Sequence, residues 1–320
     1  MTSLRTAPRG ACFFQIMKRY ATFATSLRQR FGERVQKIPL DAGASCPNRD
    51  GTLGHAGCLF CNSRGSGSGL GRQGLDLAEQ WEFWRTKYQR KFKVKFFIAY
   101  LQSFSNTHGP LERLRALLAE LAQLPGLVGL ALGTRPDCLD SDKLNVLAEF
   151  PAPERWLELG LQSSNNATLA RINRGHDFAC FVRAVEAAAK VGLKVCAHVI
   201  AGLPGENAGD FLRTVAACNS LPLHGIKFHN LYVCDSSGLA ALWRQGLYTP
   251  LAREDYIDWL ARGLALLRPD IIVQRLAADP APGELLAPTW AGDKTGVRAA
   301  IKARLEESDV WQGREYGGKK

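Results

Sequence analysis

Three cysteines, Cys46, Cys58 and Cys61, form the densest group of residues in this chain that could do chemistry, with the spacing C-x11-C-x2-C. Thiolates are soft ligands, and they select iron–sulfur clusters, zinc or Cu(I) over hard cations. The three glycines between Cys46 and Cys58 allow the backbone to fold tightly around a metal centre and to direct N–H groups towards it. The segment therefore predicts a metal site built on a loop.

Two kinds of metal site fit this spacing. No fourth cysteine lies nearby in the sequence, so a [4Fe–4S] cluster held here would keep one iron free to bind another molecule. Alternatively, His55 would complete a Cys3His zinc site of the structural type. Spacing alone leaves both open. The position favours the cluster, because the segment follows the strand-like Val35–Leu40 and so stands at the carboxyl end of a first strand, where reactive groups collect in α/β folds.

The remaining six cysteines are isolated, and most fall in apolar segments, as Cys196 and Cys218 do. A free cysteine in such a segment behaves as a small hydrophobic side chain. The odd total of nine and the lack of a secretory signal pattern predict reduced thiols. No stretch approaches the roughly 20 apolar residues that span a bilayer. These features predict a soluble, cytoplasmic protein without a membrane partner.

Short strand-like runs alternate with helical runs, which is the pattern of βαβ units and of a mainly parallel α/β sheet. Five or six such units are too few for a complete (β/α)8 barrel. Polar residues follow several of the strands, and beyond about Leu239 the pattern becomes helical. The predicted strands are 35–40, 94–101, 127–132, 156–162, 194–200, 226–233 and, late in the chain, 271–276, and the predicted helices are 111–124, 141–150, 178–191, 211–218 and 294–307.

A series of motifs, in order along the chain, resembles the radical S-adenosylmethionine (radical SAM) enzymes. Cys58-Leu-Phe-Cys61 places an aromatic residue directly before the last cysteine, as their cluster loops do. Their common spacing is C-x3-C-x2-C; the longer gap here, beginning Cys-Pro-Asn-Arg-Asp-Gly, resembles the YhcC/YtqA group, related to the catalytic domains of Elongator and the MiaB methylthiotransferases. Further similar motifs are KIPLDAG at 37–43, YLQSFSNT at 100–107, GTRPD at 133–137, ELGLQS at 158–163, INRGHD at 172–177 and HVIAGLPGE at 198–206.

This resemblance implies a fold and a reaction. The fold would be a partial (β/α)6 TIM-like barrel of the radical SAM type with a mainly helical C-terminal extension. Residues 1–16 would be a disordered tail, 17–240 the radical SAM core and 241–320 the extension packed on it. S-adenosylmethionine would bind the fourth iron. An external donor of the flavodoxin or ferredoxin type would supply an electron through the cluster, and this electron would cleave S-adenosylmethionine to give a 5′-deoxyadenosyl radical.

The resemblance also implies residues that contact S-adenosylmethionine. Phe60 would contact the adenine. The family often carries a Gly-Gly-Glu-like stretch after the second strand for the methionine amino group; this chain has Gln102, Ser103 and Asn106 there instead, and one of these would take that role. The turn that begins at Gly202 would flank the adenine.

Six further residues complete the expected site. Glu158 and Gln162 share one face of a strand and would bind the ribose hydroxyls, or alternatively belong to a hydrogen-bond network internal to the barrel. Arg174 would pair with the methionine carboxylate. Arg135 is a second candidate for that pairing, or it forms an ion pair with Asp137. His198 would line the barrel, as a hydrogen-bond partner or as a substrate contact, and His229 would lie on the substrate side.

The charge indicates an anionic partner, since the chain carries a formal net charge of +11. Residues 84–95 hold six bases and no acid, and Trp84 and Tyr88 there could stack on RNA bases. Alternatively, the basic run 84–95 is only the solvent-exposed face of a helix that leads into a strand. Two functions follow: a radical SAM enzyme with a possible RNA substrate, or a zinc-binding nucleic-acid module without radical chemistry.

Overall fold

One parallel sheet organises the chain. The computed structural model describes residues 19–63, 65 and 70–317, so the predicted tail at 1–16 lies outside the described residues. The sheet has seven strands in the order β1-β2-β3-β4-β5-β6-β8, every neighbouring pair parallel, and β7 pairs with β9 in a separate antiparallel ribbon. The strands are β1 Val35–Leu40, β2 Phe96–Leu101, β3 Leu127–Thr134, β4 Glu154–Gln162, β5 Lys194–Ala201, β6 Gly225–Asn230, β7 Val233–Cys234, β8 Ile272–Arg275 and β9 Leu285–Ala287.

Helices connect the parallel strands, as right-handed crossovers require. Several begin at side-chain caps: α2 at a capping box formed by Asp76 and Glu79, and α6 at Asp177. The helices are α1 Phe23–Phe31, α2 Leu77–Phe92, α3 Leu111–Leu121, α4 Ser141–Ala148, α5 Asn166–Arg171, α6 Phe178–Lys190, α7 Ala208–Asn219, α8 Gly238–Arg244, α9 Arg253–Leu266 and α10 Lys294–Glu307.

The sheet curls into an open barrel. Tyr100 on β2 and Lys227 on β6 stand four strands apart, which is about 19 Å in a flat sheet. Yet the Nζ of Lys227 lies 2.9 Å from the hydroxyl of Tyr100, so their strands must face each other across a lumen. At the amino end of the strands α1 covers that lumen, with the ring of Phe23 packed edge-on to Trp156 at 5.2 Å. The carboxyl end of the barrel stays open for a site.

The two faces of β4 illustrate why the sequence adopts this form. Leu157, Leu159 and Leu161 are buried in the layer between sheet and helices. Glu158 and Gln162 alternate with them and line the cavity inside the barrel. Apolar residues outside and polar residues inside are what a barrel with a site in its lumen requires.

The predicted α/β partial barrel is confirmed, with one addition. The late strand β8 comes from the mainly helical C-terminal part and pairs with β6, so this part completes the main sheet rather than only packing on it. The boundary between the core and the C-terminal extension at residue 240 stays a prediction. Among the described helices, none combines the length and the apolar character that a membrane span needs.

Candidate cofactor site

The cysteine loop leaves the carboxyl end of β1 and is folded by its own backbone. The amides of Arg49 and Asp50 donate to the carbonyl of Cys46, and the amide of Cys61 donates to that of Cys58 at 3.0 Å. Cys58 is buried, while Cys46 and Cys61 are half-buried. All three border the same cavity at the open end of the barrel.

Two side chains direct N–H groups at the sulfur of Cys58. The Nδ2 atom of Asn48 and the Nη1 atom of Arg174 each lie 3.5 Å from its Sγ atom. Asn48 also donates to the carbonyl of Asn173 at 2.6 Å, which ties the cysteine loop to the loop after α5. Gly175 in that loop has φ +76°, and a Cβ there would approach the Oδ1 of Asn48 to 2.7 Å, so glycine permits this close contact. Donors of this kind stabilise a thiolate.

Arg49 forms hydrogen bonds to the end of the cysteine loop at Cys61 and Asn62. Its Nη2 atom donates to the carbonyls of Cys61 and Asn62 at 3.0 and 2.9 Å. Burial raises the pKa of the Cys61 thiol to about 11, Cys58 and Cys46 raise it further, and Arg49 opposes them.

Most of the residues predicted for the site meet in one place. Eleven of the fourteen line one cavity above the lumen: Cys46, Cys58, Phe60, Cys61, Gln102, Arg135, Glu158, Gln162, Arg174, His198 and His229. The roles of these residues stay predictions, but their convergence is what a shared cofactor site requires.

Asn106 and Gly202 are not brought to this cavity. The Nδ2 atom of Asn106 donates to the carbonyls of Leu101, Ser103 and Gly133, so the side chain joins the ends of β2 and β3. The carbonyl of Gly202, directly after β5, accepts from the hydroxyl of Tyr248 at 2.8 Å, and Tyr248 belongs to a buried apolar cluster. Both residues therefore make structural contacts, and Ser103 does not border the cavity either; the expected contacts of all three with the cofactor stay predictions.

Arg174 and Arg135 differ in their partners. The buried guanidinium of Arg174 donates to the carbonyl of Gly160 through Nη2 at 2.8 Å and pairs with no acid among the described residues. Arg135 forms a two-point ion pair with Asp137, at 2.9 and 2.7 Å, which is the alternative weighed from the sequence. Its Nη1 atom is buried without a partner among the described residues, and Arg135 borders the cavity.

Glu158 is the centre of an ion cluster in the lumen. Its Oε1 accepts from the Nζ of Lys37 at 2.5 Å, and its Oε2 pairs with the Nζ of Lys227 and with the Nε2 of His198 at 3.0 Å. The internal network considered as the alternative thus accounts for its burial without a ligand. Burial would raise the pKa of this carboxyl, but the two lysines hold it well below its usual range.

The same burial acts on the partners of Glu158. It lowers the pKa of Lys227 to about 7, against the attraction of Glu158. It also lowers the pKa of His198 to about 4, with the charge of Lys227 adding to the effect, so this imidazole is neutral at neutral pH. A neutral His198 then donates from Nε2 to the carboxylate.

The zinc alternative finds no support in the geometry. Within the part of the chain that the structure describes, no three His, Cys, Asp or Glu side chains converge on a point that one metal ion could occupy. His55 is exposed, with its ring against Gly51. A four-iron cluster takes each thiolate on a different iron, so its ligands do not need to converge on one point.

The comparisons with known proteins agree with this geometry. The sequence matches the family model of the Radical SAM superfamily over residues 46–218 and that of the Radical_SAM C-terminal domain over 223–307. It is 38% identical over 302 residues to YtqA of Bacillus subtilis, with 93% of each chain covered. The chain belongs to the Radical SAM superfamily.

More distant matches extend the family relationship. The chain is 27% identical over 193 residues to the tRNA uridine(34) acetyltransferase of Dehalococcoides mccartyi, covering 59% of this chain and 42% of that protein. The structure of the archaeal Elp3 of Methanocaldococcus infernus superposes with a TM-score of 0.68 at 16% identity, covering 89% of this chain and 67% of that one, and so has the same fold.

As a radical SAM enzyme, the chain has a [4Fe–4S] cluster and S-adenosylmethionine as its cofactors. The donor set fits the cluster, because three cysteines border the cavity and no fourth does so among the described residues. The side chains of Asn48 and Arg174 supply N–H groups to sulfur, as clusters in proteins commonly require.

Several residues of the site had no separate prediction. Lys37 and Lys227 sit mid-strand, each directly before an apolar residue, and a lysine inside a buried strand is a signal of an internal ion pair. Asn48 and Arg49 lie inside the cysteine motif, but only the fold shows what they contact. Arg275 ends β8 and borders the cavity, which the sequence did not indicate.

Proposed function

We propose that this chain cleaves S-adenosylmethionine reductively and that Cys46, Cys58 and Cys61 hold the cluster that does so. The bound cofactors supply the chemistry, namely the electron and the 5′-deoxyadenosyl radical that takes a hydrogen atom from a substrate. An external donor of the flavodoxin or ferredoxin type would supply the electron. The protein would bind and orient the cofactors and the substrate, and it would exclude water from them.

One observation carries this proposal: three cysteines and no fourth among the described residues border a polar cavity at the open end of the barrel. A fourth thiolate would close the cluster for electron transfer alone. Arg174, with a buried guanidinium and no acidic partner in the described part of the chain, is suited to the methionine carboxylate, and Gln102 and Gln162 border the same space. Residues 17–240 would form the core that carries this chemistry.

The test is anaerobic reconstitution with iron and sulfide, followed by dithionite and S-adenosylmethionine. We expect 5′-deoxyadenosine from the wild type and almost none from Cys58→Ala. Cys180→Ala is the matched control, because Cys180 is half-exposed on α6 and does not border the cavity. Equal product from Cys58→Ala and the wild type would refute the proposal.

We propose further that the substrate is RNA. The support is the net charge of +11 and the similarity to a protein whose name is tRNA uridine(34) acetyltransferase. Exposed bases Lys87, Arg90 and Lys91 on α2 offer contacts for phosphate. The rings of Trp84 and Tyr88 stack on each other at 5.5 Å, so they are less free to stack on bases than the sequence suggested.

Binding of tRNA at increasing salt tests this second proposal. The logarithm of the association constant should fall linearly with the logarithm of the salt concentration. Replacing Lys87, Arg90 and Lys91 by Gln should reduce that slope by about 1 for each phosphate that is no longer neutralised. Lys302→Gln on α10 serves as the control at another exposed lysine. No binding at low salt would remove RNA as the substrate.

A further inference from the structure

Arg275 is the one arginine of the cavity wall whose donors all stay free within the described part of the chain. The other three are engaged: Arg49 donates to backbone carbonyls, Arg135 to Asp137, and Arg174 to Gly160. Arg275 is half-buried at the end of β8, borders the cavity, and has neither a hydrogen bond nor an ion pair with any described residue. A guanidinium in this position is a strong donor for an anion.

Two further donors beside Arg275 lack partners. The side chain of Asn230 is 2% exposed; its Oδ1 accepts from the amide of Ala278, but its Nδ2 is buried without a partner among the described residues. The Nε2 of His229 is likewise buried and unpaired there. Both residues border the cavity. Buried polar atoms without partners are rare in folded proteins, so a convergent set of them indicates a ligand.

The charges around Arg275 also favour an anion. Lys227 stands opposite Arg275 in the pairing of β6 with β8. Glu158 in the lumen already pairs with Lys37, Lys227 and His198, and it makes no ion pair with Arg275 in the described structure. At the rim, Asp279 pairs with Lys294, and Glu284 accepts from Asn62, Tyr232 and the amide of Ala281. Among the described residues Arg275 therefore has no acid paired with it, while Glu284 at the rim keeps its negative charge because its partners are neutral donors.

We propose that Arg275, His229 and Asn230 form a subsite for an anionic group of the substrate, a carboxylate or a phosphate. Arg275 donates two parallel hydrogen bonds, Asn230 donates through Nδ2, and His229 donates in the tautomer that carries hydrogen on Nε2. This inference rests on the proposed function in one respect, that the bound anion is part of the molecule attacked by the radical. The binding of the anion itself does not depend on radical chemistry.

The test is calorimetric titration of the reconstituted chain, saturated with S-adenosylmethionine, with inorganic phosphate in one arm and acetate in the other. We expect the wild type to bind at least one of them, and Arg275→Gln to weaken that binding about tenfold or more. Arg275→Lys should keep part of the affinity, since it keeps the charge and loses the two-point geometry. Tighter phosphate binding assigns a phosphate group, and tighter acetate binding a carboxylate.

Arg298→Gln is the matched control, because Arg298 is exposed on α10 and outside the cavity. Thermal melts of each variant establish that it is folded. Equal affinity in Arg275→Gln and the wild type, or no binding of either anion by the wild type, overturns the subsite. Formation of 5′-deoxyadenosine by the same wild-type sample is a separate readout, so a failure of the subsite and a failure of the proposed function are distinguishable.

Discussion

Arg174 lies across Gly160, and the glycine makes this possible. The guanidinium donates to the carbonyl of Gly160 from Nη2 at 2.8 Å and from Nε at 3.3 Å, and its Nη1 faces the sulfur of Cys58. A Cβ on Gly160 would collide with Nη2 of Arg174 and stand 2.6 Å from the Nε2 of Gln162. The absence of a side chain in the middle of β4 thus positions an arginine against a cysteine of the cluster loop.

Gly160→Ala should therefore displace Arg174 rather than the strand. The colliding atoms are the ends of flexible side chains, so the strand can keep its place, but a buried guanidinium loses its acceptor. We expect the free energy of unfolding to fall by about 1–3 kcal/mol. Chemical denaturation measures this. Gly54→Ala is the control, since a Cβ there meets nothing within 4 Å, and an equal loss in both variants would contradict the explanation.

Glu158→Gln should be among the most destabilising substitutions in the lumen. It leaves Lys37 and Lys227 buried without their counter-charge, at a cost of roughly 3–5 kcal/mol. The pKa of Glu158 lies well below its usual range, so this stabilisation is present above the unfolded value of about 4.3 and is lost as the pH falls below it.

Denaturation of the Glu158→Gln variant and the wild type across the acid range measures this difference. The two stabilities should differ most at neutral pH and approach each other towards low pH. Glu82→Gln, which breaks an exposed pair with Arg85, is the control and should cost less than about 1 kcal/mol. A difference that does not change with pH would mean that the ion cluster contributes little.

Features of the fold and the site that depend on residues close together in the sequence could be predicted, whereas contacts between residues far apart in the chain could not. The strand β1 and the helix α10 have the predicted bounds, because local apolar patterns and turn residues determine them. The cysteines of the loop were found by spacing. Arg174, which lies against Cys58 across the fold, was identified as a site residue only through the family resemblance, because 116 positions separate the two residues.

Side-chain partners were the least predictable part. Glu158 and Gln162 were placed correctly on the inner face of β4, but period-two alternation says nothing about which cations lie opposite. Those cations come from β1 and β6, and only the curl of the sheet brings them together. The contact of Asn106 with Gly133 was not foreseen for the same reason, because that acceptor belongs to the next strand.

Lys227→Met should change how stability depends on pH. Burial lowers the pKa of Lys227 to about 7, whereas an unfolded lysine titrates near 10.4, so between these values the unfolded chain binds more protons. Stability of the wild type relative to the variant should therefore rise with pH in this window, by up to about 1.4 kcal/mol per pH unit.

Urea denaturation of both proteins at several pH values between about 7 and 10 measures the Lys227 effect. Taking the difference removes the contribution of the buried thiols, whose raised pKa values act in the opposite direction in both proteins. Lys302→Met on the exposed face of α10 should show no such dependence. A flat difference for Lys227→Met would mean that Lys227 stays protonated throughout.

Glu284→Ala should weaken retention of the iron–sulfur cluster without touching a cysteine. The Oε2 of Glu284 accepts from the Nδ2 of Asn62 at 2.7 Å, and its Oε1 accepts from the hydroxyl of Tyr232 at 3.0 Å. Asn62 directly follows Cys61, so the carboxylate anchors the end of the cysteine loop to the segment before β9. Partners of this kind typically contribute about 10- to 100-fold to metal affinity.

Loss of visible absorbance after a chelator is added to the reconstituted protein gives the rate of cluster loss in Glu284→Ala. We expect that rate to rise about tenfold, because a loosened loop exposes the thiolate of Cys61 to exchange. Glu254→Ala is the control, since Glu254 is exposed on α9 and pairs only with Arg253 among the described residues. If both variants lose iron as slowly as the wild type, the anchor at Glu284 does not hold the loop, and the hydrogen bonds from Arg49 to Cys61 and Asn62 must suffice.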